Sequence, residues 1–397
     1  MTATEEESEE ETTKNTTTTE ATTATTRTTT IDFSDLQRHC ILGTGELANV
    51  WLTSHKPTGK TYALKVFDKL HLVEHTAGFD AVKSLNREAQ VLLKRHNNIN
   101  SNFVLQMHQA WQDQSCVYFL LPLIQGGELS KRLYEYTTSN TCSQEEQQHD
   151  AETTNSKGLP VEHVRFYSGC IAAALSHMHQ QHIAYRDLKP DNCLIDKDGY
   201  MVLIDLGFAK VIREGKTLTM CGTPGYVAPE QLKSGNRGAW GKNGHAHYVD
   251  WWSWAVVLYE LLANATPFQC EGMSDYDTQD AIMIADYACP DYFPELAKDI
   301  IDKLLVVDVT QRLGYAEDKE GTSDFTQILT HPWFTSVHFD FEKLNAKQLK
   351  APWIPALKDN LDTSQFYEYN EAEEVHDPYR RLTEEEQKLF EQFAWIP

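Results

Sequence analysis

Residues 184–210 read AYRDLKPDNCLIDKDGYMVLIDLGFAK. Asp187, Lys189, Asn192 and Asp205 stand in it at fixed intervals, with Asp187 and Asn192 five apart. Asp205 follows a short apolar run, MVLI, that reads as a strand, and it precedes Leu206-Gly207. Two carboxylates, an amide and a lysine grouped around tight turns are chemistry-bearing side chains rather than core.

Working toward the N-terminus, residues 43–50 read GTGELANV. Glycines let backbone N–H groups approach phosphate oxygens with no side chain in the way. Alone the pair Gly43 and Gly45 fits an ordinary hairpin equally well. Lys65 lies fifteen residues after Val50 in the apolar strand YALKV, where it points either to water or inward to a charged ligand. The stretch 81–96 places Val82, Leu85, Ala89, Leu92 and Leu93 on one helical face and carries Glu88, a partner for an inward lysine. The run SCVYFLLPLI reads as a buried strand that Pro122 ends. Beyond residue 126 the pattern is mainly helical, with a helix after Pro160 and an apolar one in YVDWWSWAVVLYELLAN. The polar stretches 137–157 and 234–247 read as surface insertions.

With CGTPGYVAPE at 221–230, VDWWSWAVVLYELL around Asp250, and DVTQRLG around Arg312, four separated motifs occur in one order. The chain here resembles the eukaryotic protein kinases, from roughly residue 40 to its end. The form DLKPDN is similar to that of serine/threonine kinases. GGEL, GFAK, CGTPGYVAPE, VDWWS and a late FEQF look like the AGC group, and within it the cAMP- and cGMP-dependent kinases. The resemblance implies an α+β, bilobal fold. A small antiparallel sheet lobe with one helix would span about 38–121, a hinge 122–125, and a larger helical lobe 126–334. A C-terminal tail would occupy 335–397, and residues 1–31, rich in Thr and Glu, read as disordered.

The resemblance also implies roles. Phosphoryl transfer needs positioning and charge neutralisation more than covalent help. Lys65, held by Glu88, would grip the ATP phosphates. Asp205 and Asn192 would hold Mg²⁺, a hard ion that takes oxygen ligands. Asp187 would orient the acceptor hydroxyl and take its proton, and Lys189 would neutralise the γ-phosphate. Leu42, Gly43, Thr44, Gly45, Glu46, Leu47, Ala48, Asn49 and Val50 would cover the nucleotide. Ala63, Leu121, Ile124 and Leu194 would enclose the adenine, with Glu128 near the ribose. Thr219 would be the activating phosphorylation site, its phosphate paired with Arg186. Glu128, Asp191 and Glu260 match positions that bind arginines ahead of the acceptor. Asp250 would brace the catalytic loop and Arg312 would pair with Glu230. Phe390 and Phe393 would dock on the small lobe, and Ala394 stands where many relatives carry a phosphorylatable residue.

Some positions depart from the family pattern. Ala48 replaces a third glycine, which costs about 1 kcal/mol if the backbone there needs a positive φ. Leu206 replaces a phenylalanine, and both are hydrophobes. Leu218 and Gly225 replace a Trp and a Glu on the substrate-facing surface, where a cyclic-nucleotide-binding regulatory subunit, the implied partner, would sit. Because every charged catalytic residue is present, an active kinase is expected rather than a pseudokinase scaffold that binds ATP or partners. A small-molecule phosphotransferase is less expected, because the peptide-docking segment is present.

Composition agrees. The net charge of −23 opposes nucleic acid or anionic membrane as the main partner and suits basic Ser/Thr substrates. Eight cysteines are scattered with no C-x-x-C pair, as in a reducing compartment. No apolar leader is seen, and the longest apolar run, 251–263, is too short to span a bilayer. The cytosol is the expected location, with nuclear entry left open.

Overall fold

A computed structural model describes residues 30–74, 78–92, 101–143, 157–213, 216–235, 244–269, 272–315, 325–369 and 380–395. The disorder expected at the N-terminus lies outside the described residues, apart from residues 30 and 31.

Five strands of the first part form an antiparallel sheet: β1 (Leu36–Thr44), β2 (Asn49–His55), β3 (Thr61–Asp68), β4 (Gln109–Gln112) and β5 (Cys116–Pro122). The order is β1-β2-β3-β5-β4. Pro122 ends β5, as its missing N–H dictates. A short helix α1 (Lys69–Glu74) follows β3, and α2 (Gly78–Leu92) packs on the sheet. Val82, Leu85, Ala89 and Leu92 on α2 are all buried, the three-and-four spacing of one helical face. Leu93, expected on that face, lies outside the described residues.

The second part is mainly helical, with α3 (Leu129–Ser143), α4 (Val161–Gln180), α5 (Pro229–Gly235), α6 (Val249–Ala263), α7 (Asp275–Ile284) and α8 (Glu295–Leu304). Helix α6 is buried on every side except at Glu260, which explains its largely apolar sequence. Two short antiparallel ribbons lie between α4 and α5. One pairs β6 (Ile183–Ala184) with β9 (Lys210–Val211), the other β7 (Cys193–Ile195) with β8 (Met201–Leu203). Two insertion boundaries need correction. Residues 137–143 continue α3 rather than forming a loop, and Thr137, Thr138 and Ser139 turn their hydroxyls back onto the carbonyls of Tyr134 and Glu135. His245 and His247 at the end of the second stretch are fully buried, and His245 pairs its backbone with Thr217. Residues 144–156 and 236–243 lie outside the described residues.

The tail ties the two parts together. On the large lobe, Lys347 pairs with Asp196 and the Tyr200 hydroxyl donates to the Leu349 carbonyl. Gly199 has φ +86°, and a Cβ there would meet Trp353 O at 2.2 Å, so only glycine lets the tail pass. Further on, Lys131 donates to Phe366 O at 3.0 Å. On the small lobe Phe390 and Phe393 are buried, and Gln112 Nε2 donates to both of their carbonyls at 2.8 Å. The buried Lys69 donates to Gln112, to Asp113 O and to Gln387, and burial pulls its pKa down to about 8 against the attraction of Asp113. Beyond these expected contacts, β10 (Ala394–Trp395) adds a sixth strand, parallel to β4. No described helix is long and apolar enough to cross a membrane.

Candidate active site

The glycine loop is the turn of the β1–β2 hairpin. Gly43 pairs with Val50 and Thr44 with Asn49, and Gly45 N–H donates to Ala48 O at 2.8 Å. Thr44, Gly45 and Glu46 form the exposed tip, while Leu42 is buried and Leu47, Ala48, Asn49 and Val50 are partly covered. Ala48 does not occupy the left-handed region, so the strain a methyl group would meet there does not arise. A Cβ on Gly43 would meet nothing within 4 Å, which leaves the space above the loop open to a ligand.

Strand pairing aligns the walls of the cleft. Val50 faces Lys65, and Ala63 pairs with Leu121 at the end of β5. Leu194 pairs with Glu128 across the large-lobe side, and Ile124 lies between in the connecting segment.

Lys65 Nζ sits 2.6 Å from Glu88 Oε1, and both side chains are largely buried. Burial opposes the ammonium charge, but the Glu88 and Asp205 carboxylates outweigh it and hold the Lys65 pKa above its ordinary value. The short helix α1 lies between β3 and α2, and Glu88 on α2 still reaches Lys65.

Asp187 and Asn192 are brought together. Asn192 Nδ2 donates to Asp187 O at 2.8 Å and to Asp187 Oδ2 at 2.9 Å. With its nitrogen so engaged, the Asn192 amide keeps its oxygen for a cation. Asp205 has φ +50°, and one of its oxygens, Oδ1, accepts from Gly207 N–H at 3.1 Å. Its Oδ2 and the Asn192 oxygen are hard donors, the kind Mg²⁺ takes. Leu206 beside Asp205 is fully buried, as a hydrophobe in place of phenylalanine should be. Asp250 fixes the catalytic turn from below, accepting from Tyr185 N–H at 2.8 Å, Arg186 N–H at 2.7 Å and His179 Nε2 at 2.8 Å.

Of the three carboxylates expected to read the substrate, Asp191 acts electrostatically on the other two, Glu128 and Glu260. Burial pushes the Glu260 pKa up to about 7. A 2.7 Å hydrogen bond from the Tyr226 hydroxyl opposes that rise, and the Asp191 charge adds to it. Burial and Asp191 likewise raise Glu128, against Ser130, Lys131 and Lys189. Asp191 itself is exposed, next to Asn192 in the turn Pro190–Asn192.

Thr219 is exposed and lies on a chain of hydrogen bonds from Lys210 through Thr217, at 2.8 and 3.4 Å. The Arg186 guanidinium is spent on Phe208 O through Nε and Nη2, at 2.9 and 2.6 Å. Its Nη1 is buried without a hydrogen-bond partner. Burial lowers the Lys210 pKa, and Arg186 and Arg87 lower it further, so three cations crowd one another beside this segment. The described structure shows no direct bond between Arg186 and Thr219.

Three contacts were not foreseen. Thr223 Oγ1 donates to Asp187 Oδ1 at 2.7 Å, Tyr226 holds Glu260, and Ser84 Oγ donates to Gly207 O at 2.7 Å. The first two residues lie inside CGTPGYVAPE, a motif that fixes their position without naming their partners.

Residues 36–334 match the family model described as "Protein kinase domain". The chain is 33% identical over 358 residues to "cAMP-dependent protein kinase type 3" of Saccharomyces cerevisiae, covering 89% of this chain and 78% of that one. It is 32% identical over 358 residues to "cAMP-dependent protein kinase catalytic subunit 2" of Drosophila melanogaster, covering 89% and 86%. The "cAMP-dependent protein kinase catalytic subunit" of Dictyostelium discoideum matches at 32% over 338 residues, 85% of this chain but only 45% of the relative's length.

Proposed function

The chain belongs to the protein kinase family, a serine/threonine kinase of the cAMP-dependent type, and on that premise we propose that it phosphorylates Ser or Thr preceded by arginine or lysine. The observation that carries this reading is that Glu128 and Glu260 are each raised by burial and by the charge of Asp191, beside the Asp187–Asn192 turn. Carboxylates raised by burial and a neighbouring negative charge are stabilised by an incoming cation.

In the reaction, Asp187 accepts the proton of the acceptor hydroxyl and Thr223 keeps the carboxylate aimed. Lys65, fixed by Glu88, holds the phosphates, and Lys189 balances the charge on the transferred group. Asp205 and Asn192 would hold Mg²⁺, which would supply positive charge against the phosphate oxygens. The paired state of Lys65 and Glu88 supports transfer over a scaffold role. Phosphate on Thr219 would relieve the crowding of Arg186, Lys210 and Arg87. A regulatory subunit and a cytosolic location remain part of this reading, on the strength of the relatives' names and the composition.

Protein phosphorylated on Thr219, given radiolabelled ATP and Mg²⁺, is expected to label an Arg-Arg-x-Ser peptide and to leave a Glu-Glu-x-Ser peptide at background. Label on neither peptide, or on both equally, overturns the proposal.

The raised Glu260 pKa adds a pH signature. A carboxyl whose folded pKa is raised from 4.5 to about 7 holds its proton below that pH, and a cation binds only its ionised form. Affinity for an Arg-Arg-x-Ala peptide is therefore expected to tighten by roughly tenfold between pH 6 and pH 8. Calorimetry at the two pH values measures it, and Glu260→Gln should flatten the change. For stability the sign is opposite, because the protonated form favours folding and this contribution is lost as pH rises through about 7.

A further inference from the structure

Helix α2 reaches the catalytic groups twice. Its first contact is Glu88 on Lys65. Its second is Ser84, one turn earlier on the same face, whose hydroxyl donates to the Gly207 carbonyl at 2.7 Å. Gly207 in turn donates its N–H to Asp205 Oδ1 at 3.1 Å. A Cβ placed on Gly207 would lie 3.2 Å from Asp205 Oδ1, 3.3 Å from Ser84 Oγ and 4.0 Å from Glu88 Oε2. Three oxygens from two segments distant in sequence thus converge on one backbone position, and the glycine leaves them room.

The Asp205 backbone needs such support. Its φ of +50° is a conformation that a non-glycine residue holds only when its surroundings impose it. On one side Ile204 N–H is fixed to Asn192 O at 3.0 Å, and the buried Leu206 anchors the next residue. On the other side, the connection from the turn to the small lobe runs through Ser84.

We propose that Ser84 is a positioning residue for phosphoryl transfer. Its hydroxyl ties the turn that presents Asp205 to the helix that presents Glu88. The cation-holding carboxylate and the Lys65–Glu88 pair are then set as one unit, and a shift of α2 would disturb both. This rests on the kinase reading above, in which Asp205 holds Mg²⁺.

The test uses the full chain with Ser84→Ala and Ser84→Thr. Two quantities are read: kcat as a function of free Mg²⁺, and ATP binding by calorimetry with Mg²⁺ and with EDTA. Ser84→Ala is expected to lower kcat five- to tenfold, about the worth of one hydrogen bond. It should raise the Mg²⁺ concentration needed for half-maximal rate, and weaken Mg²⁺·ATP binding while leaving ATP in EDTA unchanged. Ser84→Thr, which keeps the hydroxyl, should restore all three. An unchanged Mg²⁺ requirement, or a loss of affinity equal with and without Mg²⁺, overturns the proposal and leaves Ser84 a packing residue. If the unaltered chain transfers no phosphate, the kinase reading fails, and the calorimetry still decides the role of Ser84. Gly207→Ala attacks the same bond from the other side. Its effect on the Mg²⁺ requirement should shrink when Ser84 is already alanine, and purely additive effects count against the proposal.

Discussion

Asp187→Asn is expected to lower kcat by about 10² to 10⁴, the usual worth of a positioned general base, while the KM for ATP changes by no more than about threefold. The exchange is nearly isosteric and the surroundings can absorb it. Asp187 Oδ2 accepts from Asn192 Nδ2 at 2.9 Å, and an amide oxygen in the variant can do the same. Oδ1 accepts from the Thr223 hydroxyl at 2.7 Å, and a hydroxyl can turn to accept from an amide N–H instead. Backbone support from Asp250 is untouched, because it acts on Tyr185 and Arg186. What the variant loses is the capacity to take a proton, together with the negative charge that aims the acceptor hydroxyl. In the function proposed, Lys65 and the glycine loop would grip the nucleotide away from Asp187, so its affinity should persist. Single-turnover transfer to the basic peptide and ATP binding, measured on the same preparation, separate the two. A variant that keeps more than a tenth of the rate would remove Asp187 from the role of base.

Much of this site was legible in the sequence because its residues are bound to local backbone. Asp187 and Asn192 are five apart in the sequence, a spacing that marks the motif, and the structure shows their side chains hydrogen-bonded. Glu88 could be named from its helix as a partner for an inward Lys65, but the family resemblance was what favoured the inward orientation across 23 residues and an extra helix. Individual elements were legible from apolar periodicity where one face is buried, as in α2, or where nearly every face is, as in α6, while the bilobal fold came from the family resemblance. Periodicity says nothing about polar residues that satisfy themselves. The run of Thr and Ser at 137–139 reads as a loop, yet it is helical, with its hydroxyls folded back onto the preceding turn. His245 and His247 read as surface by polarity, yet both are buried, His245 paired with Thr217 and His247 ring to ring with His179 of α4. Ser84, Thr223 and Tyr226 were missed for a related reason. A single hydroxyl carries no periodic signal, and its partner is defined only once distant segments meet.

The pair between Arg312 and Glu230 should show the largest stability effect. Arg312 is wholly buried and Glu230 nearly so, and they meet in a two-pronged contact of 2.6 and 3.0 Å. Arg312 also donates to Val306 O at 3.1 and 2.9 Å, and its guanidinium lies 5.1 Å from the centre of the Trp252 ring. Removing one member leaves the other charge buried and unpaired, so Arg312→Ala is expected to cost about 3–5 kcal/mol. Arg312→Lys should recover only part of that, because a point charge cannot occupy both prongs. Replacing both partners, as in Arg312→Met with Glu230→Leu, should cost less than Arg312→Ala alone, since no orphaned charge remains. Urea denaturation of the four proteins gives the comparison. The consequence also reaches the site. Glu230 opens α5 directly after the segment that carries Thr223 and Tyr226, the residues that hold Asp187 and Glu260. Loosening that anchor should therefore raise the KM for the basic peptide before it affects ATP binding. Equal stability of Arg312→Ala and the unaltered protein would mean that the pair, for all its burial, is not what fastens the segment to the large lobe.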